Sequence, residues 1–365
     1  MALDFCFCCA IIDGGRLCAD YFFLAEMSRA KGFGAFNLYN GGINIYKELI
    51  QENFNIEVKS IKILADHMQS KIFLVEAQTG KYVLKEVNSD FLSHPENEGA
   101  LLEYLYSHGI NVARLILTKN NEYIFSYGEK QFHLQEFIDG EIISLNTATD
   151  WYLKKSAQML GEIQRVLRGY NKLPVLFDKD FLDKSTVFKA KQSILDAIKQ
   201  AEKENKRALV IDLNERLKHI EKIACFKFDL NKLTYSNSHG DYYVNQIITR
   251  NQEMIVIDWT GACFLPVCFE VMMSYTYADS ECKGGTIHIK RFKTYLNEYL
   301  KHFPLSSYDL KMMPYFYYYQ LCICTFVPPY DDLPNDYLQI TKLCNNLMNW
   351  LHINVDNLSN DLCAV

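Results

Sequence analysis

Three short apolar segments of strand length stand close together in the first third of the chain: Ile61-Lys62-Ile63-Leu64, Ile72-Phe73-Leu74-Val75 and Tyr82-Val83-Leu84. Successive side chains of a strand point to opposite faces, so a period-two pattern lays one face against a core. Asp66 to Ser70 and Thr79-Gly80 supply turn residues between them. The three segments therefore read as a β-meander. Later in the chain the dominant period changes to 3.6, and that change limits the fold to a sheet-rich part followed by a mainly helical one.

The flanking pattern fills in the first part. Residues 45–54 (IYKELIQENF) read as a short amphipathic helix. After the meander, Ser93 as N-cap, Pro95 in the first turn and Glu96 three residues after the cap open a helix that Gly109 stops. Its apolar stripe is Leu101, Leu102 and Leu105. Segments 112–117 and 122–127 look strand-like, and 131–138 leads into Asp139-Gly140, a turn that closes this part. Helical periodicity then covers 150–168 and about 186–224, the latter long enough for two helices. Within 234–259, Ile247-Ile248 and Met254-Ile255-Val256-Ile257 read as two short strands, and helices resume after Pro266. The expected division is an unplaced extension at 1–45, with Met27 a candidate start, a first lobe at 46–138 and a helical lobe at 139–365.

Composition removes several classes. With 49% hydrophobic residues in 365, the chain can bury a core in each lobe. A net charge of −6, with no basic stripe, argues against a nucleic-acid partner. No run approaches the ~20 apolar residues of a membrane span, and FCFCCAII at 5–12 is too short, with no basic residue before it, for a secretory signal. The 12 cysteines form no paired CxxC pattern, so they read as free thiols in a reducing cytoplasm.

The residues that carry chemistry lie at 239–259. His239-Gly240-Asp241 is followed by Asn245 and Gln246, then by Ile257-Asp258-Trp259. Phosphoryl transfer needs one carboxylate to orient the attacking hydroxyl and take its proton. It also needs oxygen ligands for magnesium, which offsets the charge developing on the phosphoryl group. An Asp, an amide and a second Asp beside strand-like runs provide that set. SHGDYYVNQII…VIDW resembles the HGDxxxxN…IDW signature of aminoglycoside phosphotransferases, choline kinases and homoserine kinases of protein-kinase-like type. The resemblance covers roughly 45–340. It implies an α+β, protein-kinase-like two-lobe fold, with a β-meander N-lobe carrying one helix and a mainly helical C-lobe. It further implies dependence on ATP and Mg, with Asp241 catalytic and Asp258 a metal ligand. The second metal ligand falls to Gln246 or Asn245: the family's Asn position holds Gln246, with Asn245 one residue earlier.

By the same resemblance, Lys85 in YVLKEV is the lysine that reaches the phosphates, and Glu98 is its partner on the following helix. Helix geometry supports Glu98 separately, since 98, 102 and 105 share one face and a carboxylate aimed at a core needs a cation. Ser70 in the glycine-free turn DHMQS would touch phosphate. Gln135, Glu136 and Phe137, within LQEFI, match the hinge where adenine bonds to backbone groups. After Pro266, the Asp that the family often carries is replaced by the Phe269-Glu270 region. Thr79-Gly80-Lys81 lacks the upstream glycine of a P-loop and reads as a hairpin turn. Gly161 reads as a close helix contact, Tyr315–Tyr319 as C-lobe core, and Pro328–Asp332 with Asp336 as an acidic loop. The function these residues imply is an ATP- and Mg-dependent transfer of phosphate to a hydroxyl of a small molecule: an aminoglycoside, an aminosugar, a choline-like amine or homoserine. The alternative is a weak or inactive kinase-like protein with a binding or spore-coat role and a coat or assembly partner.

Overall fold

The computed structural model describes residues 39–66, 71–87, 95–324 and 335–364. Two compact units emerge. The described part of the first runs from Tyr39 to Ile142 and resumes at Asn245–Ala262; the second comprises Ile143–Val244 and Cys263 onward.

In the first unit, helix α1 (Tyr39–Asn53) precedes β1 (Val58–Asp66), β2 (Lys71–Ala77) and β3 (Lys81–Val87), the expected meander. Helix α2 (Pro95–Ser107) follows, then β4 (Leu115–Ile116), β5 (Ile124–Tyr127) and β6 (Lys130–Glu136). The strands form one antiparallel sheet in the order β1-β2-β3-β6-β4, with β5 also on β6. Register decides which side chains share a face. Phe73 pairs with Leu84, and Leu84 with Leu134. This row enters an apolar core with Leu49 and Ile50 of α1 and with Phe54, where the Tyr46 ring lies tilted, its centroid 4.5 Å from that of Phe73. The next row, Ile72–Lys85–His133, must then point to the other side of the sheet.

The strand expected at 112–117 is shorter than the pattern suggested. Its backbone bonds irregularly: Glu136 N–H donates to Arg114 O at 2.9 Å, and Val112 bridges to Val256 in parallel. That bridge belongs to a hairpin from far along the chain, β8 (Ile247–Arg250) and β9 (Glu253–Val256). Its two-residue turn, Asn251-Gln252, has positive φ at both positions (52° and 64°), the geometry that matches strand twist. The hairpin packs on the first unit through Ile248 and Ile257, against Ala113, Ile138 and Ile142, and Glu141 and Thr249 exchange backbone bonds of 2.8 and 2.9 Å. The lobe expected over 139–365 thus gives up residues 245–262 to the sheet-bearing unit.

The second unit holds α3 (Asp150–Leu167), α4 (Lys184–Lys203), α5 (Arg207–Ile223), α6 (Val267–Ala278), α7 (Ile289–Leu300), α8 (Ser307–Cys324) and α9 (Asn335–Cys363). Strands β7 (Tyr235–Ser238) and β10 (Cys263–Pro266) pair antiparallel. Thr149 caps α3 by accepting from Tyr152 N–H at 3.3 Å, and Asp183 caps α4. The long helical stretch is two helices, as its length required. Gly161 is where α3 meets α7: a Cβ there would lie 2.9 Å from Tyr299 O. Phe316, Tyr317 and Tyr318 are fully buried, so the aromatic run on α8 is core. Among the described residues no helix is long and apolar enough to cross a membrane, and the seven described cysteines are all free. The expected cap Ser93, the turn 67–70, the acidic loop 328–332, the extension up to 38 and the side chains of 39–44, Glu96 and Asp336 lie outside what is described.

Candidate active site

Lys85, His133 and Glu98 meet on the face of the sheet opposite α1. Lys85 is 7% exposed, and its ammonium donates to Asp258 Oδ1 at 2.7 Å. Asp258 comes to that position because β9 ends at Val256 and the chain turns sharply. Its φ of 56° is left-handed, a conformation costing a non-glycine residue roughly 1 kcal/mol. Such an outlier survives only where its surroundings hold it. Here Thr260 Oγ1 donates to Asp258 Oδ1 at 2.7 Å, and the buried Trp259 anchors the next residue by donating its indole N–H to Val256 O at 3.3 Å.

Gln246 directly precedes β8, and its backbone oxygen accepts from Ile257 N–H at 3.0 Å. Residues 246 and 258 therefore flank the open end of β8–β9. The Gln246 side chain is fully buried, yet neither its amide oxygen nor its nitrogen has a hydrogen-bond partner among the described residues. Leaving a buried amide unpaired costs about 1–3 kcal/mol. Asn245 is only half-buried.

Glu98 projects from α2 and is 3% exposed. Burial, foremost, pushes its carboxyl up to about 7; the charge of Lys85 and a backbone N–H from Trp259 act in the opposite direction. The direct ion pair of Lys85 described above is with Asp258, while its charge reaches Glu98 through space. The nearest imidazole to Glu98 belongs to His133, with Nδ1 3.6 Å from Oε2. Burial, with the neighbouring Lys85 charge, holds His133 down to about 3, so its ring is neutral. Of the expected hinge residues, Glu136 is engaged within the sheet unit, its carboxylate taking Arg114 Nη2 at 2.9 Å. Gln135 is paired with both Val83 and Leu115, and the Phe137 ring lies under Lys81 Nζ at 5.4 Å. Ser70 lies outside the described residues.

Asp241 belongs to the second unit, in the loop after β7, and is 2% exposed. Gly240 turns the chain with φ 86°, a value that favours glycine. The loop is held by Glu270, in the first turn of α6. Glu270 Oε1 accepts from Tyr242 N–H at 3.2 Å, and the carboxylate also takes the Gly240 N–H. Its Oε2 accepts from Ser238 Oγ and from Gln164 Nε2, the latter at 3.3 Å. Asp241 thus sits between two backbone amides fixed by one buried carboxylate. In the Phe269-Glu270 region, which stands where an Asp was expected after Pro266, it is Glu270 that holds this loop.

A sequence profile described as the phosphotransferase enzyme family matches residues 60–292, well over half of the chain. The chain belongs to the phosphotransferase enzyme family. This phosphotransferase has the fold of the protein-kinase-like small-molecule kinases. An amicoumacin kinase in complex with AMP-PNP, Ca2+ and Ami superposes with a TM-score of 0.59 at 13% identity, over 86% of this chain and 92% of that one. A choline kinase from Cryptosporidium parvum Iowa II gives 0.57 at 14%, over 86% and 96%. A spectinomycin phosphotransferase in complex with ADP and spectinomycin gives 0.53 at 13%, over 87% and 97%. At such identity these likenesses concern the fold. No curated protein sequence matches the chain.

The sequence reading missed His133 and gave Glu270 no role. His133 had a signal in the alternation QFHLQEF, which sets it on the face opposite Phe132 and Leu134; only the register joins it to Lys85. Glu270 had one too, as the lone charge in the otherwise apolar helix VCFEVMM.

Proposed function

We propose that this phosphotransferase moves the γ-phosphoryl group of ATP, in the presence of magnesium, to a hydroxyl of a small molecule. The substrate oxygen forms a bond to the γ-phosphorus, the bond from that phosphorus to the bridging β,γ-oxygen breaks, and ADP leaves. Asp241 orients the hydroxyl and takes its proton. Asp258 and Gln246 hold the metal, whose charge offsets that developing on the transferred group. Magnesium in nucleotide sites takes only one or two protein oxygens besides phosphate and water, and these residues supply two. Lys85 binds phosphate oxygens and Glu98 keeps it oriented; Ser70 adds a phosphate contact. Adenine bonds to backbone groups at Gln135–Phe137.

The observation that carries this reading is the unpaired, fully buried amide of Gln246 at the hairpin end shared with Asp258. A polar group kept dry and unpartnered at a cost to stability suits a ligand that arrives later. The same observation favours Gln246 over the half-buried Asn245 as the second metal ligand. The acceptor class stays with aminoglycosides, aminosugars, choline-like amines and homoserine.

The test is ATP consumption across a panel of those hydroxyl compounds, with Asp241→Asn as control. Loss of a general base lowers turnover by about 10²–10⁴-fold. A mutant that keeps full turnover removes Asp241 from the mechanism. A wild-type chain that turns over nothing and gains no thermal stability from ATP with magnesium favours the binding or coat role.

A further inference from the structure

The row Ile72–Lys85–His133 places an imidazole directly across from the phosphate-binding lysine, on the same face of the sheet. That imidazole is costly where it stands. His133 is fully buried, and among the described residues neither ring nitrogen has a hydrogen-bond partner. Glu98 Oε2, 3.6 Å from His133 Nδ1, is likewise without one. A buried polar pair left just beyond bonding distance destabilises the fold, and an apolar side chain of similar size would not. The strand alternation alone would accept Leu or Ile here.

We propose that His133 is a positioning residue for Glu98: its Nδ1–H closes onto Glu98 Oε2 when Lys85 leaves Asp258 for the phosphates of the nucleotide. This rests on the phosphotransferase reading above. The chemistry follows from the groups present. While Lys85 is paired with Asp258, Glu98 has the Trp259 N–H and the through-space charge of Lys85 to support its ionised form. To hold Lys85 toward phosphate, Glu98 must be a carboxylate with its free oxygen satisfied. Nδ1–H of a neutral imidazole is a donor already on the correct face, within about half an ångström of bonding distance. His133 touches neither the nucleotide nor the substrate; it acts through Glu98 and Lys85.

The test compares His133→Leu and His133→Asn with wild type and Lys85→Ala. The Asn amide can stand where Nδ1 stands and donate to Glu98; Leu fills the volume and donates nothing. Melting temperature and ATP affinity by calorimetry, with magnesium, are read for each. We expect H133L to melt higher than wild type but bind ATP about 10-fold more weakly, the loss of one hydrogen bond to a charged group. H133N should bind within about 3-fold of wild type, since it keeps that bond. A packing role alone predicts the reverse order, with Leu tolerated better than Asn. Leu matching Asn in ATP affinity, with Lys85→Ala impaired, overturns this proposal alone. Wild type that binds no ATP overturns the phosphotransferase reading and this proposal with it.

Discussion

At Glu98, burial and the charge of Lys85 oppose each other. The carboxyl is pushed up to about 7 from 4.5, first by burial and against the charge of Lys85. A group that is more basic folded than unfolded binds more protons in the folded state across that window. Its contribution to stability is complete below pH 4.5 and lost as pH rises through about 7. The amide in Glu98→Gln does not titrate. Without nucleotide, the stability of E98Q relative to wild type should therefore climb between pH 4.5 and 7 and level off above. The total is on the order of 3 kcal/mol. His133 acts with opposite sign, since its depressed value gives stability present above the unfolded range and lost toward about 3. It is common to both proteins and cancels to first order. Urea unfolding at a series of pH values measures the difference, and a gap constant from pH 4.5 to 8 would remove the buried titration.

At the scale of elements, the loop carrying Asp241 is only as firm as its tie to α6. Glu270 accepts from Ser238, Gln164, Tyr242 N–H and Gly240 N–H in a fully buried setting. In Glu270→Gln one acceptor oxygen becomes a donor facing other donors, which leaves buried N–H or O–H groups unpaired at about 1–3 kcal/mol. E270Q should melt several degrees lower and lose kcat far more than it raises KM for ATP; unchanged kcat would show that the loop does not need this tie. How such an element could be read from sequence depends on periodicity. Ile61–Leu84 announced the meander, and 186–224 announced two helices, because those patterns act within one element. The row Ile72–Lys85–His133 is a matter of register between strands up to 48 positions apart, which period two cannot supply. The shortening of the strand expected at 112–117 has the same origin, since its backbone partners are Glu136 and the distant Val256. The spacing of Asp241 and Asp258 is a feature of the sequence alone. The atoms that hold them are not.

At the scale of the molecule, sequence order and packing order part company at the β8–β9 hairpin. A boundary at 138/139 follows from the turn Asp139-Gly140 and from the onset of helical periodicity, and nothing local says that 245–262 returns. It does so because Ile248 and Ile257 need an apolar surface, which Ala113, Ile138 and Ile142 provide, and because Glu141 and Asn111 have backbone groups for it to pair. The return also brings Asp258 to Lys85, which would otherwise be a buried cation without that carboxylate. A fragment of residues 39–142 should accordingly fail to unfold cooperatively, with exposed apolar surface at Ala113 and Ile138 and Lys85 deprived of its 2.7 Å ion pair with Asp258. Joining residue 142 to 245–262 through a short glycine–serine linker restores the hairpin, and the Glu141–Thr249 pairing shows that the two ends lie near each other. The joined protein should regain a sigmoidal thermal transition by circular dichroism, and Asp258→Ala within it should lower the midpoint by removing half of a buried ion pair, a loss of about 3–5 kcal/mol. Identical melting of the two fragments would mean that the sheet stands without the hairpin, and that Lys85 does not depend on Asp258 for its burial.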